Sequence, residues 1–250
     1  MYRSADLLYF SPTGNTRRAG LAIASEMAER VNETDLGKCA EASLKGDVVI
    51  VAAPVFSGRI PALVSEKLSR LDGRGKTAVT AVVYGVRAYE DALLELNDVM
   101  EAAGFKIAAS CALVAQHSIV KEVGRGRPDE ADIKEIKGFA MGALMRIESG
   151  VCGAVTVPGS RPYREVKKGG TTPIALSDCR GCGHCASVCP TEAIRISGGA
   201  PVTDCEKCIM CMACVAKCPS RSRVLPTEVL NGLTERLSAF RDVRRENEFF

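Results

Sequence analysis

The chain of 250 residues is 46% hydrophobic and 25% charged, has no tryptophan, and carries a formal net charge of +3. Those proportions suit a globular protein of one ordinary domain plus a small module, and no apolar run reaches the roughly 18 residues of a membrane span. A small positive excess without a basic helix or a basic–aromatic patch makes no case for nucleic-acid binding.

The first residues, Met1-Tyr2-Arg3-Ser4-Ala5-Asp6, lead straight into a short apolar stretch. An acidic residue at position 6 is foreign to a secretory signal, so a cytoplasmic location is expected. Residues 1–150 then alternate strand-like and helical segments. Strands are predicted at Asp6–Phe10, Val31–Asp35, Asp47–Ala53, Lys76–Tyr84 and Lys106–Ala115, and helices near 14–30, 60–71, 88–103 and 130–149. The third strand reads Val-Val-Ile-Val-Ala-Ala with no polar alternation, as expected when helices cover both faces of a parallel sheet. Repeated strand–helix units imply right-handed crossovers and a three-layer α/β domain. The second strand is the least distinct, being short and polar.

Periodicity stops between about Val151 and Ser177. Gly153, Pro158, Gly159, Pro162, Gly169, Gly170 and Pro173, with Arg164, Lys167 and Lys168, read as an extended linker over residues 151–173. A cysteine module follows at 174–222. The remainder, 223–250, is expected to be an amphipathic helix running from Pro226 to about Glu246.

Nine of the 12 cysteines fall within residues 179–218. Evenly scattered cysteines would suggest disulfides; clustering without an export signal argues for metal. The first run is Cys179-x2-Cys182-x2-Cys185-x3-Cys189-Pro190, and the second is Cys208-x2-Cys211-x2-Cys214-x3-Cys218-Pro219. Thiolates at intervals of three wrap the corners of a cuboidal iron–sulfur cluster, while a fourth, opening a short helix, is aimed elsewhere. Zinc knuckles are the alternative, but zinc sites favour two separated ligand pairs, often with histidine. Cys205 offers a second register for the later run. That register leaves Cys218 seven residues beyond Cys211, so Cys205 is read as a non-ligand.

With Cys182-Gly183, the two Cys-Pro endings and Thr191-Glu192-Ala193-Ile194, this segment resembles the bacterial two-cluster ferredoxins. The resemblance implies a small α+β ferredoxin-like domain whose fourth ligands are exchanged. Cys179, Cys182, Cys185 and Cys218 would hold one 4Fe–4S cluster, and Cys208, Cys211, Cys214 and Cys189 the other. His184 is then a surface neighbour. Each oxidised cluster with four thiolates carries a formal −2, which moves the total from +3 to −1.

Ser11-Pro12-Thr13-Gly14-Asn15-Thr16 follows the first strand and opens a helix. Hydroxyl, amide and glycine at such a turn form a phosphate cradle that needs no lysine. An ordinary capped turn is the plainer alternative. Here the chain resembles the flavodoxin family, whose FMN phosphate loop has this Thr-Gly-Asn-Thr core. The resemblance extends to two loops flanking the flavin ring. One is Pro54-Val55-Phe56-Ser57-Gly58, with Phe56 as the stacking residue. The other is Tyr84-Gly85-Val86-Arg87-Ala88-Tyr89, of which Tyr84, Gly85, Arg87 and Tyr89 are site candidates. It implies a doubly wound parallel five-stranded sheet in the order 2-1-3-4-5, with FMN at the carboxyl ends of its strands. Arg59 and Arg87 are the arginines expected near the flavin.

Other nucleotide motifs fail. Gly73-Arg74-Gly75-Lys76-Thr77 has Arg70 where a Walker loop needs glycine, and no Gly-x-Gly-x-x-Gly follows a strand. His117 closes the fifth strand and reads as a packing or capping residue, with a functional place near the flavin or the cysteine module as the alternative. Cys39, Cys111 and Cys152 read as small buried apolar side chains.

Across nearly its whole length the chain resembles the flavodoxin–ferredoxin iron–sulfur flavoproteins. That implies electron transfer between FMN and two 4Fe–4S clusters, with redox proteins as donor and acceptor and a homodimer as one assembly. A flavin-dependent reductase of a small substrate and a redox sensor stand as alternatives. No acid–base constellation marks a catalytic residue.

Overall fold

The computed structural model describes residues 1–150, 155–166 and 170–250. Cys152 and the expected linker residues Gly153, Lys167, Lys168 and Gly169 lie outside them.

In chain order the first domain comprises β1 (Tyr2–Tyr9), α1 (Asn15–Met27), β2 (Ala28–Asp35), β3 (Val48–Pro54), α2 (Ala62–Leu68), β4 (Thr77–Tyr84), α3 (Ala92–Ala102), β5 (Lys106–Val114) and α4 (Glu130–Glu148). Five strands pair in parallel in the order 5-4-3-1-2, the flavodoxin-like winding that reverses at β1 and β3. Every residue of β3 is buried, because β3 lies inside the sheet with a hydrophobic core on each face. On one face α1 and α4 bring Ala19, Ile23, Met27, Ile136 and Ala140 against the sheet. On the other, α2 and α3 bring Val64, Leu68, Leu93, Leu96 and Met100. β2 is an edge strand, half exposed, so its polar sequence is held by ladder bonds to β1 and needs no apolar run.

The cysteine module contains β6 (Ile174–Ala175), α5 (His184–Ser187), a hairpin of β7 (Ile194–Ser197) and β8 (Ala200–Thr203), α6 (Ala213–Ala216) and β9 (Arg223–Val224), which pairs with β6. This is a small α+β unit with a two-fold pattern of cysteine loop and short helix.

Two expectations are corrected. The C-terminal helix does not run to Glu246. It is α7 (Thr227–Arg236), followed by one 3-10 turn and a short strand, β10 (Glu248–Phe249). β10 pairs antiparallel with β5 and makes the sheet six-stranded. The exposed β5 edge offers Ser110 for paired backbone bonds with Phe250, at 2.8 and 3.1 Å, and Val114 N–H for the Asn247 side chain at 2.9 Å.

The segment read as an open linker is, over residues 155–166, a strap on α3. Val155 and Val157 pack on the core. The buried Asp91 carboxylate accepts the N–H of Ser160 and of Arg164, both at 2.8 Å. Asp98 accepts from the Arg161 guanidinium and the Tyr163 hydroxyl.

Candidate functional site: a phosphate loop and two cysteine hollows

The sheet winding brings the loops after β1, β3 and β4 to one edge. The β1 loop ends in Gly14, a left-handed residue (φ 102°) whose absent side chain leaves open space above the start of α1. Gly14 brings no side chain to cap that helix, so first-turn N–H groups other than that of Arg17 face the open space, where an anion could meet them. Thr16 is buried, Ser11 Oγ accepts Arg17 N–H at 3.0 Å, and Asn15 Nδ2 donates to Gln116 O at 3.2 Å. This cradle fits a phosphate group.

After β3, Phe56 and Arg59 exchange backbone bonds around Ser57 and Gly58, both left-handed, as a type I′ turn requires. The turn holds Phe56 half-buried, edge-on to Phe10 with centroids 6.3 Å apart. Pro54 is buried and Val55 half-buried beside it. Asp91 N–H bonds Gly58 O at 3.0 Å, and Glu90 and Arg164 crowd the space a Gly58 side chain would need. The β3 and β4 loops and the strap are therefore bolted together.

Two tyrosines and one arginine behave otherwise than expected. Tyr84 and Tyr89 are buried in the core, edge to face at 5.3 Å, and the Tyr89 hydroxyl donates to Glu248 of β10 at 2.7 Å. Burial pushes Tyr84 up to about 12, and burial with the Glu248 bond also raises Tyr89. Both rings pack in the core, and for Tyr89 the C-terminal tail supplies the acceptor. Arg59 pairs with the buried carboxylate of Glu95 through Nε and Nη2, at 2.6 and 2.7 Å, and lies 4.5 Å above the Tyr163 ring. It anchors the strap. Arg87 stays half-exposed and pairs with Glu90 at 3.0 Å. Gly85 is required by close approach: any side chain there would meet the His117 ring at 2.6 Å. His117 Nδ1 accepts N–H from Ile119 and Val120, so Nε2 carries the proton of the neutral ring.

In the cysteine module the eight run cysteines divide between two hollows. One is lined by Cys189, Cys208, Cys211 and Cys214, the other by Cys179, Cys182, Cys185 and Cys218. Among the described residues no three His, Cys, Asp or Glu side chains converge as a single bound ion would need. The thiols instead surround a space, which fits a cuboidal cluster. Burial pushes the Cys211 thiol up to about 12 and also raises Cys185, Cys208 and Cys214. For Cys218 burial acts the same way, but the Ser220 hydroxyl and the backbone N–H groups of Ser220, Ser222 and Arg223 hold it below the usual thiol range. Gly181 and Gly183 in the first run, and Met210 and Met212 at the matching places in the second, are all left-handed. Cys205 is exposed and lines neither hollow, and His184 is exposed at the start of α5. Cys39 packs on one sheet core and Cys111 is buried in the other.

The two regions touch. Ile209 and Cys211, from the second cysteine loop, pack on the core that holds Phe10, Tyr84 and Val86. The strap also has a trace in the sequence. Asp91, at the N-cap of α3, and Asp98, within it, are acidic residues seven apart that meet Ser160, Arg161, Tyr163 and Arg164 of the strap.

Residues 163–222 match the model of the 4Fe-4S dicluster domain family. Over 44 residues the chain is 46% identical to a subunit of the ion-translocating oxidoreductase complex of Methanosarcina acetivorans, covering 18% of this chain and 17% of that protein. An uncharacterized ferredoxin of Methanocaldococcus jannaschii is 37% identical over 54 residues, 22% of this chain and 35% of its own length. The matches thus span well under two thirds of these relatives. Among solved structures, a Streptococcus pneumoniae flavodoxin aligns with a TM-score of 0.46 and 22% identity, over 58% of this chain and 99% of that one. The chain has the architecture of a flavodoxin–ferredoxin fusion: an α/β domain of flavodoxin-like winding joined to a 4Fe–4S dicluster domain. Among the described residues no helix is long and apolar enough to cross a membrane.

Proposed function

We propose that this protein carries electrons between an FMN on the α/β domain and two 4Fe–4S clusters in the cysteine module, serving redox partner proteins in the cytoplasm. One observation carries the reading: Ile209 and Cys211, at the rim of the second hollow, pack on the core of the domain that holds the phosphate cradle. Thiolate ligands in such number suit a reducing compartment. The similarity to a subunit of an oxidoreductase complex supports partner proteins at both ends.

When bound, FMN handles one or two electrons and each cluster handles one, so the set joins a two-electron donor to single-electron carriers. The chain's residues bind, orient and shield. Ser11, Thr13, Asn15 and Thr16 offer hydroxyl and amide groups around the α1 N-terminus, where the helix dipole favours a phosphate. Phe56, with Pro54 and Val55, gives an apolar wall for the ring. Ser57, Gly58, Gly85 and Arg87 fix the two loops flanking that wall. Cys189, Cys208, Cys211 and Cys214 hold the cluster nearer the α/β domain, and Cys179, Cys182, Cys185 and Cys218 hold the other.

The anaerobically purified protein is expected to contain eight irons, eight acid-labile sulfides and one FMN per chain. Four irons, or no flavin after reconstitution with FMN, would defeat the three-centre reading. Turnover of a small molecule with no partner protein present would defeat the carrier role.

A further inference from the structure

Arg223 is among the largest side chains buried in the molecule, with 2% of its surface exposed. A guanidinium is permanently charged, and burying one without a counter-charge is strongly unfavourable. Yet no carboxylate among the described residues lies within ion-pair distance of it; Nη2 donates to the Thr203 hydroxyl at 2.9 Å, and Nε is buried with no partner. The side chain lines the hollow of Cys179, Cys182, Cys185 and Cys218. It also reaches the other set: Thr203, whose hydroxyl accepts from Nη2, lines the hollow of Cys189, Cys208, Cys211 and Cys214.

We infer that Arg223 is a shared counter-charge for both clusters, a positioning residue that raises the reduction potential of each. This rests on the dicluster reading above. A cluster with four thiolates goes from a formal −2 to −3 when it takes up one electron, with no bond made or broken. A fixed positive charge stabilises the more negative state, and low polarity around a buried site preserves that preference. β9 supplies the placement. Its short pairing with β6 holds the Arg223 backbone, whose N–H is one of those serving Cys218, while the side chain extends between the hollows. The sequence offers no sign of this, since the second arginine of Ser220-Arg221-Ser222-Arg223, just past a Cys-Pro ending, reads as surface.

The test is a potentiometric titration followed by electron paramagnetic resonance on the whole protein, alongside iron analysis. Arg223→Gln is expected to keep eight irons and to weaken reduction of both clusters about tenfold or more, a shift of at least ~59 mV toward negative potential for each one-electron couple. Arg223→Lys, which keeps the charge, should remain nearer the parent potentials than Arg223→Gln. Eight irons with unmoved potentials in Arg223→Gln, or a shift confined to one cluster, overturns the shared counter-charge. Equal shifts in both variants do so too, since charge would then not be the lever. Loss of clusters from both variants replaces the potential-setting role with a purely structural one. Four irons in the parent protein would instead overturn the dicluster reading itself.

Discussion

In the α/β domain every helix lays a buried apolar stripe on a sheet, and the two faces of that sheet each carry a hydrophobic core. In the cysteine module the packed cluster of buried side chains is Cys185, Ile194 and Cys214, and two of those three are thiols. The larger region can assemble by removing apolar surface from water. The smaller one has too little such surface, and it holds left-handed backbone at Met210 and Met212, where a side chain is strained. The contrast indicates that one region folds around its own residues while the other folds around its cofactors.

The largest expected effect follows directly. Removing iron with a chelator under anaerobic, reducing conditions should abolish hydrogen-exchange protection across residues 174–224 while β1, β3, β4 and β5 keep theirs. Mass spectrometry of the exchanged peptides reads both regions in one sample. An apo module that stayed protected would break the comparison, because its fold would then be independent of metal.

How much of this could be read beforehand differs between the regions for the same reason. The unbroken apolar β3 is a local pattern that marks a strand covered on both faces, while the strand order and the two sets of cysteines were legible through the resemblance that the β1 loop and the cysteine spacing carry to flavodoxins and two-cluster ferredoxins. The C-terminal strand was not. Glu248 and Phe249 have no strand-like run, and they pair because β5 would otherwise present an open edge. Tyr84 and Tyr89 sit in a loop that resembles a flavin flank, yet Glu248, which accepts the hydrogen bond of the Tyr89 hydroxyl, is 159 residues beyond it. Arg223 and the Asp91 clamp likewise depend on partners distant in sequence. Long-range polar pairing leaves little periodic trace.

The strap joins the two regions, and its release sharpens the comparison at an intermediate scale. Asp91 accepts two backbone N–H groups from it. Asp91→Ala leaves both donors without that acceptor, at a cost of about 1–3 kcal/mol for a buried group. Exchange at residues 155–166 should accelerate, and chemical denaturation should show the matching loss of stability. Iron content should stay unchanged, since no cysteine depends on the clamp. Lost iron in this variant would mean that the strap supports the module as well as tying it down.

The smallest effect belongs to His117 and separates the regions by pH. Its ring is partly buried against Gly85, and burial, helped by the charge of Lys121, pushes it down to about 4. The unfolded chain protonates near the ordinary 6.5. Above pH 6.5 both states are neutral and the residue contributes nothing to the pH dependence. Below it the unfolded chain takes a proton that the native ring refuses, so stability falls as pH drops from 6.5 toward about 4 and levels off beneath. At pH 5.5 the loss should be about 1.4 kcal/mol, one pH unit below the unfolded midpoint. His117→Gln should remove that component from the difference between urea denaturation at pH 7 and pH 5.5, read on the helical signal of the α/β domain. Equal losses in the variant and the parent would show that the native ring accepts the proton, and that the acid sensitivity of this domain comes from its carboxylates.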